Sequence, residues 1–181
     1  LGTLGMAHAL DKVLEAADQL RDRDDIVFLL VGSGASKNAL LDQAQKMDLP
    51  NVRLLPRQPK SAMPDLWASC DVSLITLRDQ PLFSTVIPSK IFESMGMGLP
   101  IVISIPAGEA TEIVEDSGAG IFVPPEQPAE LAAALVSLAD NPERMKELSA
   151  ASAEAAAGHS RDRLAVEMLA HLEALTVNDR G

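Results

Sequence analysis

Residues 26–47 read IVFLLVGSGASKNALLDQAQKM, and the fold follows from how this stretch changes character. Residues 26–31 are a short, unbroken apolar run, the pattern of a strand buried on both faces. Gly32-Ser33-Gly34 ends that run at once, and residues 37–47 then carry Leu40, Leu41 and Ala44 on one helical face. The unit is strand, glycine turn, helix. Downstream the same alternation predicts strands over 52–55, 72–77, 100–105 and 120–123. It predicts helices over 65–69, 89–95 and 109–116, the last closed by Gly118. Upstream, Leu10, Val13, Leu14, Ala17 and Leu20 recur at helical spacing within 6–20. Helices are also expected over 128–139, 142–157 and 161–175, with Pro128 and Pro142 in first-turn positions and Ser160 as a cap. Residues 78–88, holding Pro81 and Pro88, read as an irregular loop. The class is therefore α/β: a Rossmann-like, doubly wound parallel sheet with helices on both faces, in a single domain over 1–181.

Composition narrows the function. The 181 residues hold 15 Lys and Arg against 26 Asp and Glu, a formal charge of −11, with 47% apolar residues. That apolar content builds a core and excludes a disordered chain. The acidic balance argues against a nucleic acid or anionic lipid partner, because neutralising phosphates takes surplus Lys and Arg. One cysteine excludes a disulfide scaffold. His8, His159 and His171 lack metal-ligand spacing, so no metal site is expected. No stretch approaches the roughly 20 apolar residues of a membrane span. The chain opens mid-pattern, without an initiating Met or a signal peptide, and reads as a fragment of a longer protein.

In doubly wound sheets, ligands sit beyond the carboxyl ends of the strands. That rule selects the loops 2–7, 32–36, 56–60 and 78–89. Gly32 and Gly34 would let amides approach a phosphate, yet a tight turn explains them equally well, and Lys37 breaks the dinucleotide fingerprint. Gly2-Thr3-Leu4-Gly5 would likewise admit a diphosphate at Gly5, or be an ordinary turn. Pro88-Ser89-Lys90 is more pointed: Ser89 can cap a helix, the first-turn amides face an anion, and Lys90 adds a full charge. One turn on, Glu93 can accept two hydroxyl hydrogen bonds, as from a ribose. Standing alone these would be a capped helix with a solvated Lys–Glu pair, worth about 0.2–0.5 kcal/mol. Gly96 and Gly98 are expected to relieve crowding at a helix-to-strand turn. Cys70 reads as a buried thiol, and Glu109 with Glu112 as a charged helix start.

Taken together, the order GTLG (2–5), VGSG (31–34), LLPRQPKSAMPDLWASCDVSLI (54–75), IPSKIFESMGMGLPIV (87–102) and GEATEIVEDSGAGIFVPPEQPAEL (108–131) resembles a known enzyme family. It is similar to the C-terminal, donor-binding half of the large family of retaining GT-B glycosyltransferases. Within that family it looks most like the N-acetylfucosamine-type transferases of bacterial polysaccharide synthesis. The resemblance implies a cytoplasmic enzyme that moves a sugar, with retention, from a nucleotide diphosphate, usually UDP, to a polysaccharide or lipid-linked acceptor. It implies neither metal nor cofactor. Glu93 matches the second Glu of the family's Glu–seven residues–Glu motif and would hold the ribose, whereas Thr85 stands where the first Glu is expected. Thr3 and His8 stand where the family has Arg and Lys for the diphosphate, so amides at Gly5 and at the Ser89 helix start, together with Lys90, are expected to take a larger share. Arg57, Gln58 and Lys60 match the loop that receives the base, Gln58 acting through its backbone.

The acceptor-binding half would precede residue 1, and any peripheral membrane contact would run through it. Without that half the fragment is expected to bind nucleotide weakly and to transfer nothing. The helix over 161–175 would cross back to the missing half, leaving an apolar face that invites dimerisation. The rival reading is a non-catalytic α/β interaction module that has lost nucleotide binding, which Thr3, His8 and Thr85 favour. An NAD oxidoreductase lacks its fingerprint here, and an epimerase its acid/base groups.

Overall fold

A computed structural model describes residues 1–159, 163, 165–166 and 168–170. In chain order the elements are β1 (Gly2–Thr3), α1 (Leu10–Gln19), β2 (Phe28–Ser33), α2 (Lys37–Met47), β3 (Val52–Pro56) and α3 (Met63–Ala68). Then follow β4 (Ser73–Thr76), α4 (Lys90–Gly96), β5 (Ile101–Ser104), α5 (Glu109–Asp116), β6 (Gly120–Phe122), α6 (Pro128–Ala139) and α7 (Pro142–Gly158). The helix expected over 161–175, and its Ser160 cap, lie largely outside the described residues.

Every paired strand is parallel, as the strand–helix alternation requires. The ladders fall into two three-stranded halves, β1-β2-β3 and β4-β5-β6. Strand β5 shows why its sequence is apolar without alternation. Ile101 and Ile103 point into a core with Ile75, Ile91, Met95 and Val114, under α4 and α5. Val102 points the other way, into a core with Val13, Leu14, Leu131 and Leu138 from α1 and α6. All three β5 side chains are fully enclosed, and each contributes about 1.5–3 kcal/mol. Helices therefore cover both faces.

Polar groups lock the helices where apolar contact alone would let them slide. Buried Asn51 donates from Nδ2 to the carbonyls of Ala17 and Leu20 (2.8 and 3.1 Å), satisfying the open end of α1. On α7, the hydroxyls of Ser149 and Ser152 donate to the carbonyls of Gly98 and Leu99 (2.7 and 2.8 Å), docking that helix on the turn after α4.

The structure departs from the sequence reading at two places. The helix predicted over 6–20 is broken into a 3₁₀ turn (Met6–His8), a left-handed Ala9 (φ 47°) and α1. Carbonyls of that turn are spoken for by β4: Thr76 Oγ1 donates to His8, and the Arg78 amide to Ala7 at 2.8 Å. They cannot also serve a continuous helix. Residues Pro81–Thr85 of the expected irregular loop form a further 3₁₀ turn, held by Ser84 and Thr85 hydroxyls donating to Pro81 and Leu82. Because the strands are parallel and the Met6–His8 turn bridges to the end of β4, the loops after β1, β2, β3 and β4 all open at one end of the molecule.

Candidate functional site

The two glycine turns at this end are interlaced. Leu4 donates its amide to Ser33 (2.9 Å) and accepts from Ser36 (3.0 Å). A Cβ on Gly32 would stand 1.7 Å from the Gly2 carbonyl oxygen, and one on Gly34 would stand 2.3 Å from that of Leu4. Both glycines thus have a packing reason: only a bare backbone lets β1 and the 34–36 turn approach so closely. Gly5 opens the 3₁₀ turn, with the His8 ring beside it.

Lys90, the first residue of α4, reaches across to this loop. Its Nζ lies 2.8 Å from where a Cβ on Gly2 would be. Ser89 behaves differently from the expected cap: no side-chain cap bond forms, and its hydroxyl donates to Glu93 Oε1 at 3.0 Å. That bond folds the exposed Glu93 carboxylate back over the start of α4, with Pro88 half-buried just before it. The helix leaves its first amides without intrahelical acceptors at that same end. A cation, open amides and a carboxylate acceptor are therefore gathered on one helix start, beside the first glycine loop.

His8 lies at the same end, its ring beside Gly5. Burial pushes its pKa below the ordinary value; the Thr76 backbone opposes this, and nearby Lys90 adds to it. Beside this cation the imidazole therefore favours its neutral form more strongly than a free histidine does.

Arg57, Gln58 and Lys60 follow β3 at the same end, but the structure does not draw them to Lys90. Arg57 and Lys60 are exposed, and Gln58 Nε2 donates back to the Pro56 carbonyl at 3.0 Å. Thr85 is exposed, its hydroxyl turned to the Leu82 carbonyl. Cys70 donates to the Leu66 carbonyl, and burial raises its thiol pKa, the opposite of a poised nucleophile. Among the described residues, no group of three or more His, Cys, Asp or Glu could hold a metal ion. Neither glycine at 96 or 98 relieves the crowding expected of it: a Cβ on Gly98 would come no nearer than 3.6 Å to Ala153, and one on Gly96 would meet nothing within 4 Å; Gly98 instead answers to its left-handed backbone (φ 65°).

Sequence reasoning missed the residue that ties the loops together. Arg78 grips Asp11 Oδ1 through Nη2 (2.6 Å) and Glu126 Oε1 through Nη1 (2.7 Å), and its Nε donates to the Met6 carbonyl (3.3 Å). Glu126 also accepts the Asp79 amide at 3.0 Å. These bonds lower the Glu126 pKa. Their partners stand 67 and 48 residues away in the chain, so no local motif announces them. Around Arg78 opens a cleft of about 430 Å³ lined by Met6, Ala7, Ser36, Arg78, Gln80 and Phe83.

Comparison with known proteins gives this geometry a context. Residues 1–141 match the family described as glycosyl transferases group 1. The putative colanic acid biosynthesis glycosyl transferase WcaI of Escherichia coli is 32% identical over 136 residues, covering 74% of this chain and 33% of that protein. The chain spans about a third of the length of the curated relatives it matches. Among solved structures, Anabaena Alr3699/HepE in complex with UDP-glucose superposes with a TM-score of 0.78 at 23% identity, over 96% of this chain and 48% of that one. The C-terminal domain of the group 1 family protein LpcC from Francisella tularensis gives 0.69 at 16% identity, over 87% and 84%. The parallel sheets and two helical layers are those of a Rossmann-like GT-B half.

Proposed function

The chain belongs to the group 1 glycosyl transferases, and we propose that it is the donor-binding half of an enzyme that takes a sugar from UDP and transfers it with retention. The observation that carries this reading is the position of Lys90 Nζ over Gly2, at the mouth formed by the first glycine loop and the start of α4. A diphosphate seated there meets Lys90, the open amides of Ser89 and Lys90, and the Gly5 loop. Glu93, exposed one turn along, accepts the ribose hydroxyls in place of the Ser89 hydroxyl it now holds. Arg57, Gln58 and Lys60 border the base on the β3 side.

In the reaction, the bond between the anomeric carbon and the diphosphate oxygen breaks, a bond to the acceptor oxygen forms on the same face, and the acceptor's hydroxyl proton passes to the departing diphosphate. The electron pair of the broken bond leaves on the diphosphate. Fixed positive groups that strengthen their hold as that charge appears lower the barrier. Lys90 is already in place and needs no rearrangement at that moment. His8, whose pKa burial holds low in the free protein, takes up a proton from solvent when the diphosphate seats beside it.

The acceptor side of the cleft belongs to an N-terminal half outside this chain, so the isolated domain binds nucleotide weakly and does not transfer. WcaI is described as a putative colanic acid biosynthesis glycosyl transferase, which supports a role in bacterial polysaccharide synthesis; to this we add a polysaccharide or lipid-linked acceptor, an N-acetylamino sugar of the N-acetylfucosamine type as cargo, and a cytoplasmic site of action. No described helix is long and apolar enough to cross a membrane. Calorimetry with UDP-, GDP- and ADP-sugars tests the reading. Binding of UDP-sugars that Lys90→Ala weakens supports it; a Lys90→Ala protein with unchanged affinity overturns it.

A further inference from the structure

The cleft around Arg78 shares a wall with the proposed diphosphate site. Gly5 opens the 3₁₀ turn whose Met6 and Ala7 line the cleft, and Ser36, another lining residue, donates its amide to Leu4 of the same glycine loop. Its volume of about 430 Å³ falls within the usual range for small-molecule sites, about 300–1,000 Å³. Two kinds of surface meet in it. Met6, Ala7 and Phe83 form an apolar side. Met6 is 72% exposed and Leu82, next to Phe83, 70%, so each 3₁₀ turn holds a large apolar side chain in water here. The polar side is unspent: neither Ser36 Oγ nor the Gln80 side-chain amide has a partner among the described residues. Arg78 has five N–H donors. Four serve the Met6 carbonyl, Asp11 and Glu126, and one on Nη2 is left over. Its positive charge is more than cancelled, since Asp11 and Glu126 together leave the cluster one negative charge in excess. The sequence neighbours Lys37 and Asp79 carry opposite charges and do not change that sign.

We propose that this cleft receives the pyranose ring of the transferred sugar and selects its charge class: a neutral sugar with an apolar edge is taken, and a uronic acid is refused. This rests on the donor reading, which brings the diphosphate, and the sugar bonded to it, to the Gly5 turn that forms one wall of the cleft. A pyranose offers C–H groups on its faces and hydroxyls around its rim. Phe83 and Met6 take a face, or a deoxy or acetamido methyl group. Ser36, Gln80 and the spare Nη2 donor take hydroxyls. A lone arginine would draw a sugar carboxylate into a paired, charge-assisted contact. Here Asp11 and Glu126 already occupy that fork, and Glu126 stays ionised because Arg78 lowers its pKa. A carboxylate entering the cleft therefore meets a net repulsion. Asp11 and Glu126 act through Arg78, as positioning residues: they aim its last donor and cancel its pull on an anion.

Calorimetric titration of the chain with UDP, UDP-glucose and UDP-glucuronate tests it, the two sugars differing only in a hydroxymethyl or a carboxylate at C6. UDP-glucose binds at least about fivefold more tightly than UDP-glucuronate. Glu126→Gln and Asp11→Asn each remove one negative charge and narrow that ratio about fivefold, whereas Arg78→Gln uncovers both carboxylates and widens it. A disturbed loop lowers UDP and both sugars alike and leaves the ratio where it was, so the ratio reads charge and not folding. Phe83→Ala supplies a second readout: saturation-transfer NMR loses the protein's signal to the glucose ring protons of UDP-glucose and keeps that to its uridine protons. Equal affinities for the two sugars in the parent overturn the proposal, as does a ratio that none of the three charge variants moves, or an undiminished glucose signal in Phe83→Ala. If UDP itself fails to bind, the donor reading falls and takes this inference with it. If UDP binds and the ratio stays at one, only the charge selection falls.

Discussion

The ammonium of Lys90 stands over the α-carbon of Gly2, 2.8 Å from the place a side chain there would occupy. Two loops remote in the sequence are brought together at one charged point, and Gly2 holds φ 121°, open to glycine alone. Lys90→Ala is expected to lower UDP affinity about 10- to 100-fold, or ~1.4–2.8 kcal/mol, with Tm nearly unchanged because the side chain supports no core contact. Lys90→Arg recovers part of the loss. Isothermal calorimetry decides, and equal affinities for Lys90→Ala and the parent would remove the cation from the site.

Glu93 separates ribose recognition from phosphate recognition. Its carboxylate is exposed and bonded to Ser89, so Glu93→Ala leaves the fold intact while removing the acceptor for two hydroxyls. The expected loss is about tenfold or more for UDP and close to none for 2′,3′-dideoxy-UDP, which lacks both donors. A mutant equally impaired toward both ligands would place Glu93 elsewhere in the mechanism. Ser89→Ala frees the carboxylate and should leave UDP binding unchanged or slightly better.

The contrast between these two residues and Arg78 explains what was legible in the sequence. The layers were readable because each strand is a short apolar run and each helix has its own stripe: α2, α5 and α6 end where the pattern ends. Lys90 and Glu93 were readable because they share one short motif at a helix start. Arg78 was not, since its meaning comes from Asp11 and Glu126, remote in sequence and brought near only by the fold. The break at Ala9 was hidden for the same reason. Residues 6–20 satisfy a helical period, and only the donors arriving from Thr76 and Arg78 pull the first turn out of it.

Arg78 should matter more to the architecture of the site than to global stability. Its ion pairs are partly exposed, with about a third of each side chain open to solvent, so Arg78→Ala costs about 1 kcal/mol. The Met6–His8 turn loses its anchor, however, and UDP affinity should fall about tenfold through misplacement of the first glycine loop. Glu126 gives the pH signature. Its pKa is lowered by Arg78 and by the Asp79 amide, so its contribution is present above the ordinary carboxylate value and fades as pH falls through the depressed one. Glu126→Gln should flatten that acid limb of the stability curve in urea denaturation. A limb of unchanged steepness would show that other carboxylates govern it.

His8 titrates in the opposite chemical sense. Burial and Lys90 depress its pKa, so the folded protein favours the neutral ring. Stability is full above about pH 6.5, the ordinary imidazole value, and declines as pH falls below it toward the depressed folded value, where the unfolded chain takes up the proton first. A bound diphosphate reverses the bias by stabilising imidazolium. UDP binding should therefore take up protons, and affinity should rise as pH drops from about 7.5 to 6. His8→Gln should abolish both effects. Calorimetry in buffers of different ionisation enthalpy counts the protons directly, and zero uptake would dismiss His8 from the diphosphate site.

Two glycine substitutions test whether the glycine turns exist for packing. At Gly32 an added Cβ falls 1.7 Å from the Gly2 carbonyl oxygen, a backbone atom that cannot yield without parting β1 from β2. Gly32→Ala should cost at least about 2–3 kcal/mol, and it should also weaken UDP binding by displacing the loop under Lys90. Gly96 sits in α4 with nothing within 4 Å of the same position. Gly96→Ala should be neutral or stabilise by up to ~1 kcal/mol, the difference in helix propensity. Denaturant midpoints for the two proteins measure the contrast. If Gly32→Ala kept the parent's stability yet lost UDP, the glycine would serve the ligand rather than the strand pairing.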